Sequence, residues 1–127
     1  MLRPRFILLS VVSVSCVSAV AAQSAAAPAQ TIQVYSFGYT PTPIQLAAGR
    51  EVTLSFVNQS GSGHDFTAPD FFAGAHIVSG AAPNGEVELK PRETKTVTLI
   101  PQAGTYQAHC SHFMHATMGM HTQVVVR

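Results

Sequence analysis

The sequence has no tryptophan and little charge: Asp, Glu, Lys and Arg make up 10% of its 127 residues, against roughly a quarter in ordinary globular chains. Neither sign dominates, with seven Lys and Arg against six Asp and Glu. The chain therefore lacks the basic footprint of a nucleic-acid binder. Two cysteines exclude a disulfide-rich scaffold. A hydrophobic share of 46% excludes disorder of the whole, which requires low hydrophobicity and high net charge. There is no internal repeat and no long stretch of helical period. What is plentiful is histidine and methionine, six and four residues.

The first residues read as an address. Arg3 and Arg5 make a positive start, and Phe6 to Val20 is apolar or small throughout. Val20-Ala21-Ala22 then offers small residues for cleavage, the three-part pattern of a secretory signal. The apolar run is Ser-containing and shorter than the roughly 20 residues of a membrane-spanning helix. Cys16 follows Ser13-Val14-Ser15, which lacks the Leu-like residue expected of a lipoprotein signal. Residues 1–22 are thus expected to be a signal peptide, 23–30 an Ala-rich linker, and 31–127 one folded domain, large enough for a single core. The expected location is periplasmic or secreted, with no membrane span once the signal is removed. Arg3, Arg5 and Cys16 leave with it, so five basic residues face six acidic ones and Cys110 is the lone cysteine. A lone cysteine in an oxidising compartment should be buried, metal-bound or paired with another molecule.

The remainder alternates with period two, as half-buried strands do. Val52, Leu54 and Phe56 share one parity, as do Val87 and Leu89, Val97 and Leu99, and Tyr106, Ala108 and Cys110. Met120, Val124 and Val126 share another, and Ile32 to Phe37 is rich in β-formers. Turn residues fall between these runs, at Pro41-Thr42-Pro43, Asn58 to Gly63, Pro83-Asn84-Gly85 and Ala103-Gly104. The pattern predicts an all-β antiparallel sandwich or barrel. Pro69 to Ala75 is expected to hold one helical turn.

The chemistry-bearing residues crowd the end of the chain. Tyr106 to Val126 holds Cys110, four of the six histidines and three of the four methionines. His115 follows Cys110 by five residues and Met120 follows it by ten. If Cys110 ends one strand and Met120 begins the next, residues 111–119 form a loop that turns His115 back toward the sulfur. A fourth ligand must come from elsewhere, and His64, in the sequence GSGHDF, is the candidate. One thiolate, two imidazoles and a weak thioether are the His₂Cys-plus-axial-Met set of a blue-copper centre. Thiolate and thioether suit Cu(I) and imidazole accepts Cu(II) as well, so such a set serves one-electron transfer.

These residues resemble the cupredoxins. Met118-Gly119-Met120 followed by a valine strand is similar to the plastocyanin ending. The Cys-x4-His-x4-Met spacing resembles the type 1 copper loop of multicopper oxidases, and His64 before Asp65-Phe66 resembles the family's upstream histidine. The resemblance implies a Greek-key β-sandwich over about residues 31–127, one type 1 copper ion held by His64, Cys110, His115 and Met120, and electron transfer with a redox partner protein. Multicopper oxidases flank the copper cysteine with histidine on both sides; here His109 precedes Cys110 but Ser111 follows it. Further domains are also missing, so no enzymatic activity is expected, and the protein is expected to act as a monomer.

Alternatives stay open at this point. Met118 is the rival axial ligand; Met120 is preferred because the valine strand begins four residues after it. His112, two residues from the cysteine, is expected to be exposed, as are His76 and His121, and His109 has the outward parity. Phe71 and Phe72 read as core. Asp65 is either a support for the site or a loop acid. The surplus His112, Met114, Met118 and His121 also suits copper tolerance, buffering or delivery, with a copper donor or acceptor protein as partner. A zinc-binding β-sandwich using Cys110 with His109, His112 and His115 is a further alternative. It would require adjacent strand residues His109 and Cys110 to point the same way.

Overall fold

The computed structural model describes residue 21 and residues 25–127. The expected signal peptide and Cys16 lie outside the described residues, apart from Ala21. Among the described residues, ten strands form two five-stranded sheets. In chain order they are β1 (Ala29–Tyr35), β2 (Gly38–Thr40), β3 (Ile44–Leu46), β4 (Val52–Asn58), β5 (His64–Thr67), β6 (His76–Ser79), β7 (Glu86–Leu89), β8 (Thr94–Ile100), β9 (Gly104–His109) and β10 (His121–Val126). A short helix α1 (Pro69–Gly74) follows β5, and a 3₁₀ turn (Pro83–Gly85) precedes β7. One sheet runs β2-β1-β4-β8-β6 and the other β3-β10-β9-β5-β7. The β1–β4 and β3–β10 pairs are parallel and the remaining pairs antiparallel.

The period-two pattern buries one face of each sheet against the other. Val52, Leu54 and Phe56 of β4 are buried while the residues between them are half-buried. Val97 and Leu99 of β8, Val87 and Leu89 of β7, and Val124 and Val126 of β10 meet them. Burying one such aliphatic or aromatic side chain contributes roughly 1.5–3 kcal/mol. Phe66 of β5 is fully buried between Phe56, at 4.9 Å between ring centroids, and Tyr39, whose ring meets it edge-on at 5.5 Å.

The structure differs from the sequence expectation in its shorter elements. Strand β1 begins at Ala29 rather than Ile32, because Ala29 to Thr31 pair in register with Thr53 to Ser55. Strands β2, β3 and β6 have three or four residues each, too short for alternation to show. Strand β5 hides for another reason: all four of its residues are buried, so it does not alternate. Helix α1 starts with Pro69 in its first turn, and Phe71 and Phe72 are buried, as the sequence indicates.

Candidate metal centre

Three connections bring the site together at one end of the second sheet. Strand β9 ends at His109 opposite His121 of β10. Cys110 and Met120 therefore flank the last rung of that ladder, and the Cys110 N–H donates to the Met120 carbonyl at 3.1 Å. Residues 111–119 fold into consecutive turns. The His115 N–H reaches the His112 carbonyl at 3.1 Å, the Met118 N–H reaches the Met114 carbonyl at 3.0 Å, and the Met120 N–H reaches the His115 carbonyl at 2.9 Å. Gly119 has φ +100°, a left-handed value that glycine adopts without Cβ strain, and it lets the chain re-enter the strand. Strand β5 joins β9 through Thr67 opposite His109. Continuing that antiparallel register toward the site sets Asp65 beside Ser111 and puts His64 at the mouth of the loop.

The result is a compact set of donor atoms. Nδ1 of His64 lies 3.2 Å from Nδ1 of His115, which lies 3.3 Å from Sγ of Cys110. The ligand atoms of these three residues all fall within 4.8 Å of one another. Cys110, His64 and Met120 are buried, at 1%, 2% and 0% exposure, and His115 is half-buried. A first-row metal bonded at about 2.0–2.3 Å holds its donor atoms roughly 3–4 Å apart, so the spacing suits one ion. Soft sulfur with two imidazoles is a copper or zinc donor set. Lone pairs aimed at one another in a dry site repel unless a proton or a cation sits between them. The other nitrogen of His64, Nε2, is buried and has no hydrogen-bond partner among the described residues.

Burial dominates the electrostatics. It pushes the Cys110 thiol upward, opposed by the backbone at Asp65 and His112 and helped by the Asp65 and Glu88 carboxylates. Burial also pushes His64 downward, with the neighbouring His115 and His112 adding to the shift. Both directions leave uncharged donors, and a cation that binds them must displace the thiol proton.

The supporting residues were less visible in the sequence. The Asp65 side chain accepts the Ser111 N–H at 2.8 Å and the Thr67 hydroxyl at 2.9 Å, and its second oxygen accepts the Ser111 hydroxyl. The Asp65 backbone carbonyl accepts the Tyr39 hydroxyl at 2.6 Å. Asn58, buried at the end of β4, donates to the carbonyls of Ser62 at 2.8 Å and Lys90 at 2.9 Å and accepts from Ser60. It thereby shapes the turn that leads into His64. Phe37, at φ +65°, meets the His115 ring edge-on at 5.4 Å. Asp65 beside His64, read in the sequence as a support or a loop acid, and Asn58 at the start of a turn carry local signals; Phe37 carries none, being remote in sequence.

The remaining histidines divide. His76 and His121 are exposed, as expected, while His109 is half-buried. His112 is more enclosed than expected: its side chain is 32% exposed and its Nε2 sits 3.0 Å from Glu88 and 3.8 Å from Asp65. Among the described residues, no ligand group joins Cys110 to His109, as the Cys-His₃ zinc alternative would need. Around the loop, Phe113, Met114 and Met118 are exposed, at 89%, 52% and 58%.

This arrangement of sheets and loop defines the class: a cupredoxin-like domain profile matches residues 6–126, and the chain belongs to that family. Among solved structures it is similar to auracyanin from the photosynthetic bacterium Roseiflexus castenholzii, with 19% identity and a TM-score of 0.62, over 81% of this chain and 99% of that one. It is similar also to auracyanin A, a "blue" copper protein from the green thermophilic photosynthetic bacterium Chloroflexus aurantiacus, with 21% identity and a TM-score of 0.55, over 78% of this chain and 99% of that one. A multicopper oxidase from the hyperthermophile Aquifex aeolicus aligns at 15% identity with a TM-score of 0.61, over 80% of this chain but 29% of its own. At these identities the likeness establishes the β-sandwich fold. Compared by sequence with curated proteins, the chain has no significant match.

Proposed function

We propose that this chain is an exported type 1 copper protein that carries single electrons. The observation that carries the reading is the convergence of Cys110 Sγ with Nδ1 of His115 and Nδ1 of His64 at one end of a cupredoxin-like sandwich. His64, Cys110 and His115 would hold one copper ion, with the buried Met120 thioether as a weak fourth donor. The ion, when bound, supplies the Cu(I)/Cu(II) couple. The protein's residues keep that couple dry and its ligands fixed. Cys110 and Met120 are tied by backbone hydrogen bonding and His64 is set on a fully buried strand, so the cage moves little as one electron enters or leaves. A redox partner protein supplies and removes the electron, with the half-buried edge of His115 and exposed Phe113 as the contact face. Residues 1–22 direct export, 23–30 link up to Ala29 and Gln30, which already pair in β1, and 31–127 form the rest of the working monomer, which is not an enzyme.

A second reading, copper buffering or delivery, is favoured by one observation: the Met114 and Met118 thioethers are exposed on the ligand loop, where soft donors could receive Cu(I).

The deciding measurement is a visible spectrum of the protein with one equivalent of Cu(II). An intense blue or green thiolate-to-copper band, lost on reduction and regained on oxidation, is the expected result. A pale complex would remove Cys110 from the copper shell and overturn the electron-transfer reading. Rapid transfer of the metal to a Cu(I) chelator, beside slow electron exchange, would favour delivery.

A further inference from the structure

We propose that His109 and His121 form a second site, for Cu(II), on the outer face of the sheet whose inner face carries the Cys110 centre. The two histidines stand directly opposite one another in the β9–β10 ladder. The rung beside them, Cys110 and Met120, is bridged by the Cys110 N–H and the Met120 carbonyl. Antiparallel rungs alternate between bridged and open, so His109 and His121 occupy an open rung. Opposed residues of an open rung have Cα atoms about 4.5 Å apart and Cβ atoms about 5 Å apart, on one face of the sheet. Two imidazoles leaving the sheet from such a pair can close on one ion, at about 2.0 Å from each nitrogen.

The period of the strands keeps this site apart from the buried one. Successive strand residues point to opposite faces. Cys110 and Met120 are buried inward, so their sequence neighbours His109 and His121 face outward, His109 half-buried and His121 exposed. The other histidines are engaged or remote. His64, His112 and His115 pack against one another beside the Cys110 sulfur, and His76 lies on β6 of the other sheet. The next open rung along the same face pairs Gln107 with Gln123, both exposed. Together with His121 they line a shallow groove of about 400 Å³, where carboxamide oxygens and water complete a coordination shell. Two imidazoles with such oxygens suit Cu(II), which binds most strongly among the divalent first-row ions. Binding exchanges water on the ion for neutral imidazole, and no electron moves. The pair uses neither the Cys110 nor the Met120 side chain, so the inference does not rest on the electron-transfer reading above.

Cu(II) alone is the probe, added to the metal-free protein and followed by electron paramagnetic resonance. Beyond the first equivalent it should give a tetragonal signal with nitrogen splitting from two imidazoles and little visible colour. His121→Gln, at an exposed position, should weaken that binding on the order of tenfold or more, because the second imidazole of a fixed pair acts at high effective concentration. His109→Gln should do the same. Both variants should keep the band of the Cys110 centre and, without metal, the wild-type melting temperature; His76→Gln should leave both signals unchanged. A tetragonal signal of wild-type strength in His121→Gln overturns the proposal. So does a signal lost in His76→Gln instead, which would mark an adventitious ion only. Should His109→Gln not fold, His121→Gln decides alone. A wild-type protein without the thiolate-to-copper band, but with a tetragonal signal lost in His121→Gln, overturns the electron-transfer reading and supports this inference. The band without any tetragonal signal does the reverse.

Discussion

Cys110 and Met120, ten residues apart in the chain, are neighbours in space: the Cys110 N–H donates to the Met120 carbonyl at 3.1 Å, closing the loop that carries His115. The hydrogen bond lies just beyond the β9–β10 ladder, where His109 and His121 are paired, so the sheet fixes both residues before any ion arrives. That preorganisation makes the two side chains separable in experiment, since the backbone tie does not depend on either of them.

On the copper reading, replacing Met120 by Leu should leave the fold in place, because a volume-conserving swap in a core usually costs less than about 1.5 kcal/mol. It should move the midpoint potential upward, since the change lowers the number of donors, and Cu(I) tolerates low coordination better than Cu(II) does, which outweighs the loss of a soft donor. Met118→Leu, at an exposed position, should leave the potential where it was. Redox titration of the two variants tests the axial assignment, and a shift in Met118→Leu alone would transfer that role to Met118.

Cys110→Ser should abolish the intense visible band, because a serine hydroxyl gives no thiolate-to-copper transition. His112→Ala should keep it, since Nε2 of His112 is engaged with Glu88 at 3.0 Å while its ring only stacks on that of His115, at 5.4 Å between centroids. Absorption spectra after addition of Cu(II) compare the two directly. Retained colour in Cys110→Ser would refute the site.

The turn before His64 should be the fragile part of the apoprotein. Asn58→Ala removes hydrogen bonds to the carbonyls of Ser62 and Lys90 at a position 1% exposed. Buried polar groups left without partners destabilise by about 1–3 kcal/mol. Chemical denaturation should show that loss, together with weaker copper binding through a less fixed His64. An apoprotein of wild-type stability would mean that water replaces the asparagine.

Stability without metal should fall with acid. An unfolded histidine ionises near pH 6.5, whereas burial and the neighbouring histidines hold folded His64 below its ordinary value. Between the two values the unfolded chain holds a proton that the folded chain lacks. Stability contributed by His64 is therefore intact above about pH 6.5 and declines as the pH drops through that window, by at most about 1.4 kcal/mol per pH unit for one proton. Urea midpoints at several pH values measure the slope. A His64→Gln apoprotein should lose part of it, and an identical slope in that variant would assign the acid sensitivity to other groups.

Much of this protein was legible in the sequence because the relevant patterns are local. Alternation along Val52 to Phe56 and Val97 to Leu99 gave the long strands, since two-residue periodicity follows directly from strand geometry. The spacing of Cys110, His115 and Met120 pointed to a ligand loop because a single short loop carries all three. The tertiary structure alone decided the rest. Strand β5 does not alternate, being buried throughout, so His64 stood out as a ligand candidate without a strand to place it. Phe37 against His115, Tyr39 against the Asp65 carbonyl and Asp65 against Ser111 join residues from separate strands and loops. Such contacts depend on strand order and register, which are set by how the two sheets close over a common core; no local run of residues encodes them.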